Sequence, residues 1–386
     1  MPKNLVICLD GTNNEFGRTN TNVVKLYQCL ELSDTSRQIG YYDPGLGTIA
    51  EPGMVSKIGK KWSRILGQGF GRGIVLDIEE AYSFLMANYK DGDRIYIFGF
   101  SRGAYTARAL AGLLRQLGVL VASANNLVPY ATKLFQALAE NASPDDPSSY
   151  WRICNAFKST FASTKKQCPV HFLGLWDTVS SVGWIWNPKS FPFVTNNPGV
   201  KIVRHALAID ERRWFFRHTH WGNMEKPVKN QNAQEGWFPG VHSDIGGGYS
   251  HHEGHLWRAP FVWIIAAAKK AGLILDSRRL QATLRGSKPY GSNYASNMHN
   301  SLSGPWHLAE LFPKLRWSVE ARRRFPAMGL WRRRKIPVGA LIHCSALQRI
   351  RNPKAEYEPK NLSKRFVNEI KGLRLKCMPT FVAYEP

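Results

Sequence analysis

Ser101, Asp177 and His242 are the side chains of this sequence whose types and settings fit nucleophilic acyl transfer. That chemistry needs a hydroxyl whose proton can be removed, an imidazole to take it, a carboxylate to orient the ring, and amide donors for the oxyanion. Ser101 is the centre of Gly99-Phe100-Ser101-Arg102-Gly103, with the apolar run Ile95 to Phe98 before it and Ala- and Leu-rich sequence of helical period after it, to Leu117. The pattern predicts a strand, a sharp turn and a helix, with the serine strained at the turn and the glycines letting strand and helix approach closely. The competing reading is a serine that merely caps the helix.

Asp177 stands just past a strand-like run, Val170 to Trp176, and His242 lies beside Gly240, Gly246, Gly247 and Gly248 on a loop with backbone room for a substrate. Hydrolases with a nucleophile elbow carry the three groups in the order Ser, acid, His, which is the order here. Asp244 and Asp10 are rivals for the acid. Asp244 is two residues from His242 and poorly placed to meet its ring, and Asp10 precedes Ser101 in the chain. The oxyanion donors expected are the amide of Arg102 and an amide from Gly11 or Thr12, in the turn after the first strand.

The elements that must position these residues alternate. Leu5 to Leu9 and Gln38 to Tyr42 read as strands, Val23 to Leu30 and Ile74 to Tyr89 as helices, and Arg94 to Phe100 as the central strand. Leu127 to Thr164 reads as two helices split by Asn141 to Pro147, and Lys201 to Arg213 as a helix in which Asp210 serves as a structural ion-pair partner. Glu235 to Val241 is expected to be the last strand, and a helix beginning at Pro260 closes at Gly272. This alternation predicts an α/β fold, a mostly parallel sheet with helices on both faces. The domain expected is 1–287, with cap-like insertions at 127–164 and 184–198, followed by a basic C-terminal extension over 288–386.

Composition adds a charge signal. The 386 residues, 44% hydrophobic, suffice for a large core, and 52 Lys and Arg against 28 Asp and Glu leave a net charge of +24. That field attracts anionic membrane surfaces and leaves nucleic acid as a further ligand class. Two groups could meet a lipid: Trp184, Trp186, Phe191 and Phe193 in an aromatic loop, and Arg332, Arg333 and Arg334 interleaved with apolar residues such as Trp331. The longest uncharged apolar run, Ala259 to Ala268, is too short to span a bilayer, and no secretory signal is expected; cytoplasmic synthesis, with export by a signal-less apparatus, fits both. His251-His252-x-x-His255 has no carboxylate or cysteine at zincin spacing, and Gly67-x-Gly69-x-Gly71 lacks the Gly-Lys-Ser/Thr ending of a phosphate cradle, so no metal or cofactor is expected. Six scattered cysteines read as free thiols.

Six segments resemble the alpha/beta-hydrolase domain of type VI secretion phospholipase effectors and their uncharacterised bacterial and fungal relatives. They are Asp10-Gly11-Thr12-x-Asn14, Tyr42-x-Pro44-Gly45-x-Gly47-Thr48, Gly99 to Arg108, Leu175-Trp176-Asp177-Thr178-Val179, His205-Ala206-Leu207-Ala208, and Trp237 to Tyr249. The resemblance covers roughly the first 275 residues. It implies an esterase acting on phospholipids, with Ser101, Asp177 and His242 as nucleophile, acid and base. It also implies a sheet in which the first strand lies between the second strand and the Ser101 strand. An esterase for smaller soluble esters, and a polyanion-binding scaffold without activity, are the alternatives.

Overall fold

The computed structural model describes residues 2–11, 17, 19–45, 69–140, 148–163, 169–179, 191–222, 228–250, 253–285, 296–304, 306–311, 313–318, 323–372 and 380–386. Of the expected site, Thr12, Trp184 and Trp186 lie outside these residues, as do His251 and His252.

Among the described residues, ten strands form two sheets: β1 (Asn4–Leu9), β2 (Gln38–Asp43), β3 (Arg94–Phe100), β4 (Val170–Trp176), β5 (Val200–Ala208), β6 (Asn232–Phe238), β7 (Lys314–Ser318), β8 (Arg323–Ala327), β9 (Leu341–His343) and β10 (Phe381–Ala383). The main sheet has eight strands in the order β10-β9-β6-β5-β4-β3-β1-β2. All its pairs are parallel except β9 with β10, and β1 lies between β2 and β3. This is a mostly parallel α/β sheet of alpha/beta-hydrolase type.

Strands buried on both faces read as continuous apolar runs, and β1 is buried at every position. Its residues alternate between two cores. Leu5, Ile7 and Leu9 join Ile95 and Ile97 beneath one helical layer, and Val6 and Cys8 join Tyr96, Phe98 and Phe100 beneath the other. The first layer includes α2 (Gly69–Asn88), α3 (Arg102–Leu117), α4 (Val128–Glu140) and α5 (Ser148–Phe161), and the second α1 (Asn22–Cys29) and α7 (Arg258–Lys270), which follows the short helix α6 (His242–Gly246). Leu134, Phe135, Leu138, Cys154 and Phe157 place the expected cap helices α4 and α5 within the first core.

Two expectations are corrected. The segment expected as a helix at Lys201 to Arg213 is the central strand β5, because Val203, Ala206, Leu207 and Ala208 are buried between β4 and β6. β6 is not the last strand. The C-terminal segment contributes β9 and β10, and its Ile342, Leu347, Tyr357, Phe366 and Ile370 build a third core with Leu207, Ile209 and Trp237 of the sheet. Within the described residues no helix is long and apolar enough to cross a membrane.

Candidate active site

The elbow is built as tightly as its glycines allow. Ser101, between β3 and α3, has φ 59° and ψ −119°, a strained conformation for a residue with a side chain. Its N–H donates to the Trp176 carbonyl (3.0 Å), which ties the turn to the end of β4. A Cβ on Gly103 would collide with the carbonyl oxygens of Leu9 and Asp10, and one on Gly99 with the backbone of Gly103. Only bare backbone lets helix, elbow strand and β1 converge there.

Asp177 follows β4 with φ 41°, and His242 opens α6 just after Gly240, whose φ is +115°. The three residues expected to do chemistry come together. Ser101 Oγ–H donates to His242 Nε2 at 2.8 Å, and His242 Nδ1–H donates to Asp177 Oδ2 at 2.6 Å. One neutral tautomer satisfies both bonds. The imidazole is held between the Phe100 ring (centroids 4.6 Å apart) and the Phe216 ring (4.9 Å, edge-on). A Cβ on Gly246 would enter the Phe100 ring, so the glycine after the histidine shapes the same pocket. Asp177 is fully buried, His242 nearly so, and Ser101 is 8% exposed, so the hydroxyl is the member nearest to solvent.

The rival carboxylates are engaged elsewhere. Asp10 accepts from the Thr21 hydroxyl (2.5 Å), the Tyr42 hydroxyl (3.3 Å) and the Gly11 N–H (2.7 Å). Asp244 holds the Val241 N–H (3.0 Å) and the His299 ring (2.7 Å). Asp210, expected as an ion-pair partner, is instead a buried acceptor for the Gly240 N–H and the Tyr357 hydroxyl, both at 2.8 Å, and burial pushes its carboxyl up to about 6.

Four site expectations fare differently from the triad. The Gly11 amide, expected in the oxyanion hole, is spent on the Asp10 carboxylate. Arg102 opens α3, so its backbone N–H lies in the helix's first turn, beside Ser101, where intrahelical acceptors end. Phe191 is not a surface residue, because it is buried in the core against Phe135 and Tyr105, and Phe193 is half-buried against Trp151 and Arg115. Arg332 is exposed and Arg333 half-buried, but Arg334 is interior. Its Nη1 lies 2.5 Å from Asp177 Oδ1 and its Nη2 2.9 Å from Oδ2, and it also donates to the carbonyls of Ala208 and Phe216. The cation assigned to a lipid surface is therefore bonded to the acid of the site.

Charge compensation explains how so many ionised groups are buried together. Burial alone would raise the Asp177 carboxyl, but the Arg334 guanidinium and the His242 hydrogen bond hold it far below the usual carboxylate range. Burial lowers the His242 imidazole against the raising pull of Asp177, which keeps the ring neutral and able to accept a proton. Glu211, unremarked in the sequence, accepts the His242 N–H (3.1 Å), both Arg213 Nε and Nη2 (2.9 Å each) and the Ser301 hydroxyl (2.9 Å). Burial alone would raise it, but the bonded Arg213 guanidinium, with Arg334 and His242 nearby, lowers it to about 2. Arg213 in turn stacks on Phe216, 3.6 Å from its centroid.

A second network lies behind Asp177. His205 Nδ1 and His220 Nδ1 both meet the Glu235 carboxylate, at 2.6 and 2.9 Å, and His205 Nε2 accepts the Thr178 N–H at 3.2 Å. Arg108, buried completely, donates to the carbonyls of Val194, Thr219 and His220, which fixes the strand-end loops around the site. The described residues contain no group of three or more His, Cys, Asp or Glu arranged to hold a metal.

A family model, "T6SS, Phospholipase effector Tle1-like, catalytic domain", matches residues 3–267. An uncharacterized protein of Saccharomyces cerevisiae is 37% identical over 220 residues, 56% of this chain and 32% of its own length. The chain thus spans about a third of that relative. A crystal structure of an uncharacterized protein from Pseudomonas aeruginosa is similar with a TM-score of 0.44 and 19% identity, covering 73% of this chain and 48% of that one.

Proposed function

The chain belongs to the family of Tle1-like phospholipase effector catalytic domains of type VI secretion, and on that premise we propose that it is a serine esterase that cleaves acyl esters of phospholipids. The observation that carries the reading is the continuous hydrogen-bonded chain from Ser101 through His242 to Asp177, at 2.8 and 2.6 Å.

Ser101 Oγ attacks the ester carbonyl while His242 Nε2 takes its proton. The tetrahedral oxyanion faces the N-terminus of α3, where the Arg102 amide and the helix dipole oppose its charge; such a donor is typically worth about 3 kcal/mol. Collapse breaks the ester C–O bond, and the departing alcohol takes the proton from His242. Water, deprotonated by His242, then attacks the acyl-enzyme, releases the fatty acid and returns the proton to Ser101.

Phospholipid as substrate is supported by the surface beside the site. Trp306 packs edge-on against Phe216, the ring that covers His242, and its neighbours Leu308 and Leu311 are exposed. Met328, Leu330 and Trp331 are also exposed, and the Leu330 and Trp331 amides bond to Glu310, just after the short helix Trp306–Ala309. With exposed Arg332 next to them, these residues form an apolar patch with basic flanks, suited to an anionic bilayer.

The direct test of the nucleophile is covalent labelling with a fluorophosphonate. The expected result is one adduct, on the peptide containing Ser101, and none in Ser101→Ala. Labelling of the folded Ser101→Ala chain to the wild-type extent would remove Ser101 from the mechanism.

A further inference from the structure

We propose that Arg334 is a positioning residue of the site: a guanidinium supplied by the C-terminal segment that grips Asp177 by two parallel N–H bonds, aims its Oδ2 at His242 and offsets part of its negative charge. Its catalytic consequence rests on the Ser101, Asp177 and His242 reading above, whereas the grip itself is open to test without a substrate.

Asp177 is wholly buried, and an ionised carboxylate in that setting needs compensation. Among the described residues, its neutral donors besides the histidine come down to the Ala208 N–H, at 3.0 Å on Oδ1. Arg334 provides the rest, in the fork geometry that fixes a carboxylate plane better than a point charge does. The arginine is itself anchored. Besides donating to the Ala208 and Phe216 carbonyls, it has its own carbonyl held by Asn361 Nδ2 (3.2 Å), which also donates to the Ile209 carbonyl at the end of β5 (2.8 Å). The family match ends at residue 267, so the acid of the site is completed from outside the matched domain.

The consequence concerns the proton. A carboxylate held only by neutral donors turns its full charge toward the imidazolium formed during acyl transfer and raises the histidine. With a guanidinium on its far side, Asp177 orients the ring while pulling less strongly on its proton, so His242 stays neutral at lower pH. The other charged and titratable groups around the pair are Glu211 and Arg213 at the end of β5, His205 within β5 and His218 opposite Val179. Glu211 and Arg213 are bonded to each other and nearly cancel, which leaves Arg334 as the cation that sets the carboxylate's pull.

The experiment compares the full wild-type chain with Arg334→Met and Arg334→Lys. It follows His242 by NMR titration of its ring protons and measures kcat/KM against pH on a soluble ester. Wild-type His242 is expected to titrate below the ordinary imidazole value. In Arg334→Met, titration and acid limb should both move up by about one pH unit, so that activity at pH 6 relative to pH 8 falls roughly three- to fivefold. Arg334→Lys keeps the charge and loses the fork: its acid limb should stay near wild type while kcat falls about tenfold with KM little changed.

A folded Arg334→Met whose titration and acid limb coincide with wild type overturns the proposal. So does a folded Arg334→Lys whose acid limb rises by the unit assigned to Arg334→Met, a result that keeps the test open if the Met variant fails to fold. Ser101→Ala separates the two claims. If it retains full esterase activity the reading of Ser101 as nucleophile fails, yet its His242 titration still reports on the Arg334 grip.

Discussion

Asp177 is the residue on which the charges of the site converge, with His242 on one oxygen, the Ala208 amide on the other and Arg334 across both. Asp177→Asn therefore does two kinds of damage. It strands a buried guanidinium, and it offers His242 a group that no longer favours the Nδ1–H tautomer. We expect kcat to fall by about 10⁴ with KM little changed, and stability to fall by about 3 kcal/mol. Steady-state kinetics and denaturant unfolding measure both, and a loss of kcat under about tenfold would remove the carboxylate from catalysis. At this scale Ser101, Asp177 and His242 were legible because each stands where a short local pattern ends, at an elbow, a strand end or a glycine-rich loop. Arg334 was not. It sits in the run Arg332 to Lys335, and nothing local distinguishes the buried arginine from its exposed neighbours; the carboxylate it meets is 157 residues away in sequence. Gly11 misled for the opposite reason, since the acceptor for its amide is the side chain of the residue just before it.

At the scale of elements, the junction of β1, β3 and α3 decides whether the nucleophile is presented at all. Gly103 is the point where the helix meets the end of β1, and the atoms in the way of a Cβ are backbone carbonyls that cannot swing aside. Gly103→Ala should cost about 2–3 kcal/mol in stability and displace Ser101, lowering fluorophosphonate labelling in the fraction that folds. Wild-type stability and labelling in this variant would show that the contact is looser than the structure has it. The apolar runs made β1, β2, β3 and β4 readable, since each is short and closed by a turn, with β1, β3 and β4 largely buried and β2 half-buried. β5 misled because the polar Lys201, Arg204 and His205 interrupt its apolar residues; His205 is tolerated there only because Glu235 and Thr178 satisfy both ring nitrogens. β9 and β10 are three residues each, too short for any periodicity to show.

At the scale of the whole molecule, the C-terminal segment does more than add charge. It widens the sheet by two strands, builds a core of its own against Trp237 and Leu207, and delivers Arg334 to the site. The same segment carries exposed Leu308, Leu311, Leu330 and Trp331 near the ring that covers His242, so the proposed lipid-facing patch and the partner of Asp177 lie in one stretch of chain. On the proposed lipid reading, the net charge of +24 acts at longer range and would concentrate the protein at an anionic surface in a way that salt screens.

The central claim is that Ser101 hydrolyses phospholipid at a charged interface, and the measurement that meets it most directly is fatty-acid release from anionic and zwitterionic vesicles by wild type and Ser101→Ala. We predict release by wild type that is faster on anionic vesicles, with an advantage that fades as salt is raised to about 0.5 M. Ser101→Ala should lose about a thousandfold or more. Folded wild type that releases no fatty acid from either vesicle, or a Ser101→Ala chain as active as wild type, would contradict the account.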